Sequence, residues 1–270
     1  MSNAIVLDKS FLQGTKATRI HELAASHRLL MSDALFYELL SNPEDRANCF
    51  AKFPRINNPV DLVMHVGGLL RIEIDTHKPS GRPSSHIEDI RFQFNEALLG
   101  KEYRLPEEAR IVVEEQTEEL RSDVASFIDR VQVMSTMFPD LLSGSDTQRA
   151  AARKEAERVI ASDTEAILKF YAQLVPPAGQ PPLPPSSLVT PEWALFRWLQ
   201  VQLLFGLDVY RRYNGKIPSE LTSNMYEKFE HDVLDAQCLV LGVIEGAFAT
   251  HELKLKEWCA LIRPEGALYQ

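Results

Sequence analysis

The sequence predicts an α/β fold: a short parallel sheet built from both chain ends, with a large, mostly helical stretch between them. Three observations predict it. The first fifty residues alternate strand-like and helix-like segments, residues 59 to about 215 are helical in pattern, and the last fifty return to alternation. Strand–helix–strand units of this length are the signature of parallel strands joined by helical crossovers.

AIVLD (4–8) is the first strand, four apolar residues running straight into an acid. After Gly14, KATRIHELAASH reads as a helix, with Ile20, Leu23 and Ala24 at helical spacing. RLLMSD (28–33) is the second strand and ALFYELL (34–40) the second helix, stopped by Asn42-Pro43. Ser85-His-Ile-Glu88 has the form of a capping box and predicts a helix with Ile87, Ile90, Phe94 and Leu98 on one face. PEEARIVVEEQTEELRSDVASFIDRVQVM predicts one long amphipathic helix, and Ser162-Asp-Thr-Glu165 recaps the helical run that follows it. PPAGQPPLPPSS (176–187) is an extended, polyproline-like connector.

Thr190-Pro191 supplies an N-cap and first turn for WALFRWLQVQLLFGLDVYRRY. Apolar residues nearly encircle that helix, so it belongs in a core or a subunit interface. MYEKFEHDVLDAQCLVLGVIEG (225–246) is a helix closed by Gly246, AFATHE (247–252) a strand, and LKLKEWCALI (253–262) the closing helix. The expected organisation is one α/β domain in two parts, 1–58 and 218–270, interrupted by a helical insertion over 59–217.

At 270 residues and 45% hydrophobic, the chain can bury a large core. No apolar run reaches bilayer-spanning length, and the N-terminus lacks the pattern of a secretory signal. A cytoplasmic location with no membrane partner is the expectation. Cys49, Cys238 and Cys259 are odd in number and widely spaced, which fits reduced core residues. A net charge of −9 argues against a surface coated with basic groups for unspecific nucleic-acid binding. It is compatible with a nuclease, whose clustered acids hold cations and whose basic groups are local. No GxxxxGK[ST] or GxGxxG appears, and no nucleophile motif surrounds the Ser, His or Cys residues.

The informative residues are acids at strand ends and on the helices that follow: Asp8, Glu38, Asp232, Asp235 and Glu252. Each alone has an ordinary structural reading as a cap, turn or solvated residue. Asp235 is the hardest to read that way, with Val233, Leu234, Cys238, Leu239 and Val240 around it. In an open parallel sheet the ligand crevice lies beyond the carboxyl ends of the strands. Acids converging there repel one another unless divalent cations neutralise them, and oxygen-only ligands favour Mg²⁺ or Mn²⁺. Such ions activate water in phosphodiester hydrolysis.

With those residues in place, the sequence resembles the PIN-domain nucleases, a family that includes many toxin–antitoxin toxins and RNA-processing ribonucleases. IVLDKSF supplies the hydrophobic strand, Asp8 and Ser10; RLLMSDALFYELL supplies Glu38. DAQCLVLGVIEG supplies Asp235 and Gly246, and FATHE supplies Thr250 and Glu252, a Glu where Asp is commoner. The resemblance covers roughly the first fifty-five and last fifty residues, and the middle is far longer than in a compact PIN domain.

The resemblance implies a PIN-like three-layer domain acting as a metal-dependent nuclease, on RNA by family precedent. Asp8, Glu38, Asp235 and Glu252 would be catalytic and hold Mg²⁺ or Mn²⁺, with Asp232 as a reserve ligand. Ser10 and Thr250 would bond a carboxylate or the scissile phosphate, with Lys9 and Lys254 as cations for the backbone. Lys256, Arg71, Lys78, Arg82 and Arg91 are further basic candidates, and the seven histidines read as structural or surface residues. The implied partners are nucleic acid, a second copy through the helical region, and an antitoxin-like protein inhibitor. Two alternatives stand beside this reading: a catalytically degenerate PIN-like interaction module, and a hydrolase of small phosphate esters.

Overall fold

The computed structural model of the chain describes residues 3–88, 96–100, 102–104, scattered positions between 107 and 131, 134–174, 176, 179, 181–217 and 221–270. Its sheet is five-stranded and wholly parallel, in the order β3-β2-β1-β4-β5. The strands are β1 (Ala4–Leu7), β2 (Arg28–Ser32), β3 (Asp61–Val63), β4 (Ala247–Ala249) and β5 (Ala267–Tyr269). β1 and β4 are buried at every position, as expected of central strands covered on both faces. Their near-continuous apolar runs are what made them legible.

Helices α1 (Lys9–Gly14) and α2 (Ala17–Ser26) connect β1 to β2; α3 (Asp33–Ser41) and α4 (Pro43–Phe50) connect β2 to β3. The Ser32 hydroxyl caps α3 by accepting from the Leu35 N–H, and the Asn42 side chain caps α4 through the Glu44 and Asp45 N–H groups. α5 spans Val66–Thr76, α6 Asp146–Ser162, α7 Thr164–Tyr171, α8 Ala194–Arg212, α9 Ser223–Glu245 and α10 Leu253–Ile262. Gly246 ends α9 at φ +86°, a left-handed conformation in which glycine has no Cβ clash. Gly242 faces Phe248 so closely that an added Cβ would lie 2.6 Å from its ring. Gly242→Ala is therefore expected to destabilise the protein by about 1–3 kcal/mol in urea titrations, through overpacking.

Two compact units make up the chain. The first comprises residues 1–68, 81–119 and 241–270 and holds the sheet; the second comprises 69–80 and 120–240 and is helical. This division differs from the expected 1–58, 59–217 and 218–270. β3 lies inside the stretch expected to be mostly helical, as the edge strand beside β2, and most of α9 belongs to the second unit. β5 adds a further strand after the expected closing helix.

The expected helix at Ser85–Glu88 does not form there. Pro83–Ser85 makes one 3₁₀ turn, and Ile87 then pairs antiparallel with Val63, the Glu88 N–H donating to the Leu62 carbonyl at 2.9 Å. Ile90, Arg91 and Phe94 lie outside the described residues. Within the first unit, Arg46 is buried and donates to the carbonyls of Leu40, Leu98, Gly100 and Tyr103, tying the later loop to α4. The Ser84 N–H and hydroxyl are held by buried Glu245.

In the second unit, Asp163 caps α7 through the Ala166 N–H, as the recapping signal predicted. α8 does not start on Thr190-Pro191. It begins at Ala194, and its first N–H groups, from Ala194 and Leu195, donate to the fully buried carboxylate of Glu73 at 2.7 and 2.8 Å. From Ala194 to Val209 only Arg197 and Trp198 escape full burial, so the apolar surface that suggested self-association is consumed in the core. The proline-rich segment is non-helical where described, and the Tyr171 hydroxyl donates to the Pro184 carbonyl at 2.6 Å. All three cysteines are free and buried; burial pushes the Cys49 thiol up to about 11 and the Cys259 thiol to about 12.

Candidate active site

The sheet reverses its direction of growth at β1: β2 and β3 lie on one side of it, β4 and β5 on the other. Such a switch point opens a crevice at the carboxyl ends of the two strands that flank it. Those ends carry Asp8, after β1, and Thr250, after β4. The Asp8 N–H donates to the Ala249 carbonyl at 3.0 Å, which fixes the two strand ends against each other.

Asp8 is 2% exposed, yet its side chain makes no cap bond to α1. Instead one oxygen, Oδ2, accepts from two hydroxyls, Ser10 Oγ and Thr250 Oγ1, the latter at 2.8 Å. Those hydroxyls lie 3.1 Å apart. Ser10 Oγ also accepts from the His251 N–H and Thr250 Oγ1 from the Glu252 N–H, each at 3.1 Å. The strand end, the start of α1 and the loop into α10 are thus knotted around one carboxylate. The His251 ring stacks on Phe11 and shares a 2.8 Å hydrogen bond with Thr15, filling the space that Gly14 leaves open.

Lys9, expected to meet substrate, reaches Glu38 at 2.7 Å and Asp45 at 2.9 Å. Burial works to lower the Lys9 ammonium pKa, but the charges and hydrogen bonds of Glu38 and Asp45 outweigh it and raise it. Lys9→Met should destabilise the first unit by about 1 kcal/mol, because two half-buried carboxylates lose their shared cation. Adding Glu38→Gln should return part of that loss in a urea-monitored double-mutant cycle; strict additivity would dismiss the coupling.

Other expected residues fall as follows. Glu252 stands at the N-cap position of α10 without capping it through its side chain. Lys254 lies over the Trp258 ring, 5.5 Å from its centroid. Asp232 and Asp235 belong to the second unit. Both oxygens of Asp232 are engaged by the Arg212 guanidinium, at 2.8 and 3.1 Å, an ion pair where a reserve metal ligand was expected. Burial opposes the Arg212 charge, while Asp232 and Asp208 overcome it and hold its pKa above the ordinary value. Asp235 is partly exposed on α9.

Asp33 and His65 were not anticipated. Asp33 is buried at the start of α3, at the end of β2, and its Oδ2 lies 2.9 Å from Nδ1 of His65, just past β3. The signal was present, since each residue follows a strand end, but it required β3 to be recognised.

Among the described residues, no three His, Cys, Asp or Glu side chains are grouped to hold one ion. The donor chemistry at the switch point suits a hard divalent cation: oxygen atoms only, with Asp8 Oδ1 taking no hydrogen bond among the described residues. No helix among the described residues is long and apolar enough to cross a membrane. Compared with known proteins, the chain matches no family model, no curated protein and no solved structure.

Proposed function

We propose that this protein is a PIN-like, metal-dependent nuclease that hydrolyses phosphodiester bonds, with RNA as its substrate class. The observation that supports it best is the buried Asp8 at the switch point, with Ser10 and Thr250 converging on one of its oxygens. A carboxylate desolvated this strongly is stabilised by those hydroxyls and gains further from a cation. Mg²⁺ or Mn²⁺ drawn to Asp8 would lend positive charge to the phosphoryl oxygens and acidify water. Asp8 supplies the negative charge that recruits the ion. Ser10 and Thr250 fix the rotamer of Asp8, and Lys254 adds positive charge for the nucleic-acid backbone.

The test is incubation of the full chain with single-stranded RNA and either Mn²⁺ or Mg²⁺, with and without chelator. Cleavage that the chelator abolishes supports the reading, and intact RNA under both metals refutes it.

One observation favours the degenerate reading. Lys9 already serves as cation to Glu38, so a non-cleaving protein could keep these acids for stability alone. Under that reading the protein binds no Mn²⁺ in calorimetry and cuts neither RNA nor DNA.

A further inference from the structure

One aromatic ring stands at the rim of the Asp8 knot without a part in the proposed hydrolysis. His251 follows Thr250, just past the end of β4. Its N–H donates to Ser10 Oγ at 3.1 Å, and that same hydroxyl donates to Asp8 Oδ2. Two hydrogen bonds thus join the His251 backbone to the carboxylate, which sets its nitrogen within about 6 Å of Asp8 Oδ2.

The ring is fixed although the residue is exposed. His251 stacks on Phe11, which is fully buried, with ring centroids 5.4 Å apart and planes inclined by 27°. Nε2 shares a 2.8 Å hydrogen bond with Thr15, itself buried. Gly14 lies against the same edge of the ring: a Cβ there would stand 2.6 Å from Cδ2 and push the ring aside. Phe11 covers one face, while Gly14 and Thr15 cover the edge from Cδ2 to Nε2. The exposed surface of the ring is therefore the side turned away from Phe11. An aromatic group held rigidly in this way offers contact area to a ligand at little further cost in side-chain entropy.

We infer that His251 is a stacking platform for an unpaired nucleobase beside the scissile phosphate, an inference that rests on the nuclease reading. Single-stranded RNA is recognised by stacking its splayed bases on aromatic side chains, histidine among them. A base inside a duplex has both faces covered by its neighbours and cannot use such a platform. A phosphate at Asp8 and a nearby base on His251 together engage one short stretch of strand. Every base has a π-face, so the platform selects for strandedness rather than for sequence. The ring touches no reacting atom and acts on binding, and neutral and protonated imidazole can both stack.

Removing the bases from the ligand tests this. Full-length wild type, His251→Ala and His251→Phe, each checked by thermal unfolding, are titrated by fluorescence anisotropy with chelator present, so that no strand is cut. The probes are a single-stranded RNA oligomer and the same oligomer with abasic riboses. His251→Ala should weaken binding of the intact strand about 5–100-fold and leave the abasic strand within about twofold. His251→Phe keeps a ring and should stay within about threefold of wild type on both. In cleavage assays with Mn²⁺, the loss in His251→Ala should fall on KM rather than kcat. Equal losses on intact and abasic strands overturn the platform, as does no loss on the intact strand. A His251→Phe as weak as His251→Ala overturns it too, and assigns the ring to its hydrogen bond with Thr15. If His251→Ala does not fold, His251→Leu, apolar and bulky but without a π-face, takes its place; failure of both assigns the ring to structure and overturns the role equally. A wild type that cuts no RNA with Mn²⁺ or Mg²⁺ refutes the nuclease reading itself, an outcome separable from the others because it is read before any variant is made.

Discussion

Replacing Glu73 with alanine is expected to destabilise the helical unit by about 3–5 kcal/mol. Glu73 is fully buried and receives four hydrogen bonds, from the Ser80 N–H and hydroxyl and from the Ala194 and Leu195 N–H groups. The last two are orphan donors of the first turn of α8, which Thr190 does not cap; its hydroxyl donates to Glu192 instead. Alanine leaves those donors in a dry interior, at about 1–3 kcal/mol each. Glutamine is a sharper probe than it first looks: its amide nitrogen must face an N–H donor on one side, so Glu73→Gln should also be costly.

The effect has a pH signature. Burial raises the Glu73 pKa, against the opposing pull of its hydrogen bonds from Ser80, Leu195 and Ala194. A carboxyl whose folded-state value lies above its unfolded one binds its proton more tightly when folded. Its contribution is therefore complete below the ordinary carboxylate range and declines as pH rises toward the raised value. The stability gap between wild type and Glu73→Ala, from urea unfolding, should be wider at pH 4 than at pH 7. A gap that widens with rising pH would mean that the hydrogen bonds, not burial, dominate this carboxyl.

Glu73 also marks where sequence reasoning loses its grip. The cap of α8 comes from a residue more than a hundred positions away, and no local pattern encodes that. β1, β2, β4 and α10 were legible because burial on both faces, or a helical period, writes itself into consecutive residues. β3 and β5 were not: each is three residues long and lies at a sheet edge, where Asp61 opens one and Ala267, Leu268 and Tyr269 are only partly buried in the other. The candidate site divides the same way. The ordered set of strand-end residues anticipated Asp8, Ser10 and Thr250, which the fold brings together. Lys9 was read as free for substrate because its partners, Glu38 and Asp45, reach it only through the packing of α3 and α4 around α1. Asp33 and His65 stayed hidden because their meeting depends on β3.

Asp8→Asn should remove about a hundred- to ten-thousandfold of RNA cleavage while leaving the fold within about 1 kcal/mol of wild type. The substitution is nearly isosteric, and the asparagine carbonyl oxygen can still accept from Ser10 and Thr250, so the knot at the strand end survives. What disappears is the negative charge, and with it the attraction for a divalent cation. Ser10→Ala and Thr250→Val act differently, since each removes one hydroxyl and leaves the charge. Their losses should be smaller singly than that of Asp8→Asn, and in combination should exceed the sum, because either hydroxyl alone still orients Oδ2. Mn²⁺ titration by calorimetry separates the possible roles of Asp8. If cleavage and Mn²⁺ affinity fall together, the carboxylate acts by holding the ion. If cleavage falls and affinity does not, Asp8 acts on water or phosphate directly and Glu38 or Glu252 must hold the ion. If Asp8→Asn cleaves as wild type does, the buried acid that ends the first strand is structural, and the nuclease reading loses its principal support.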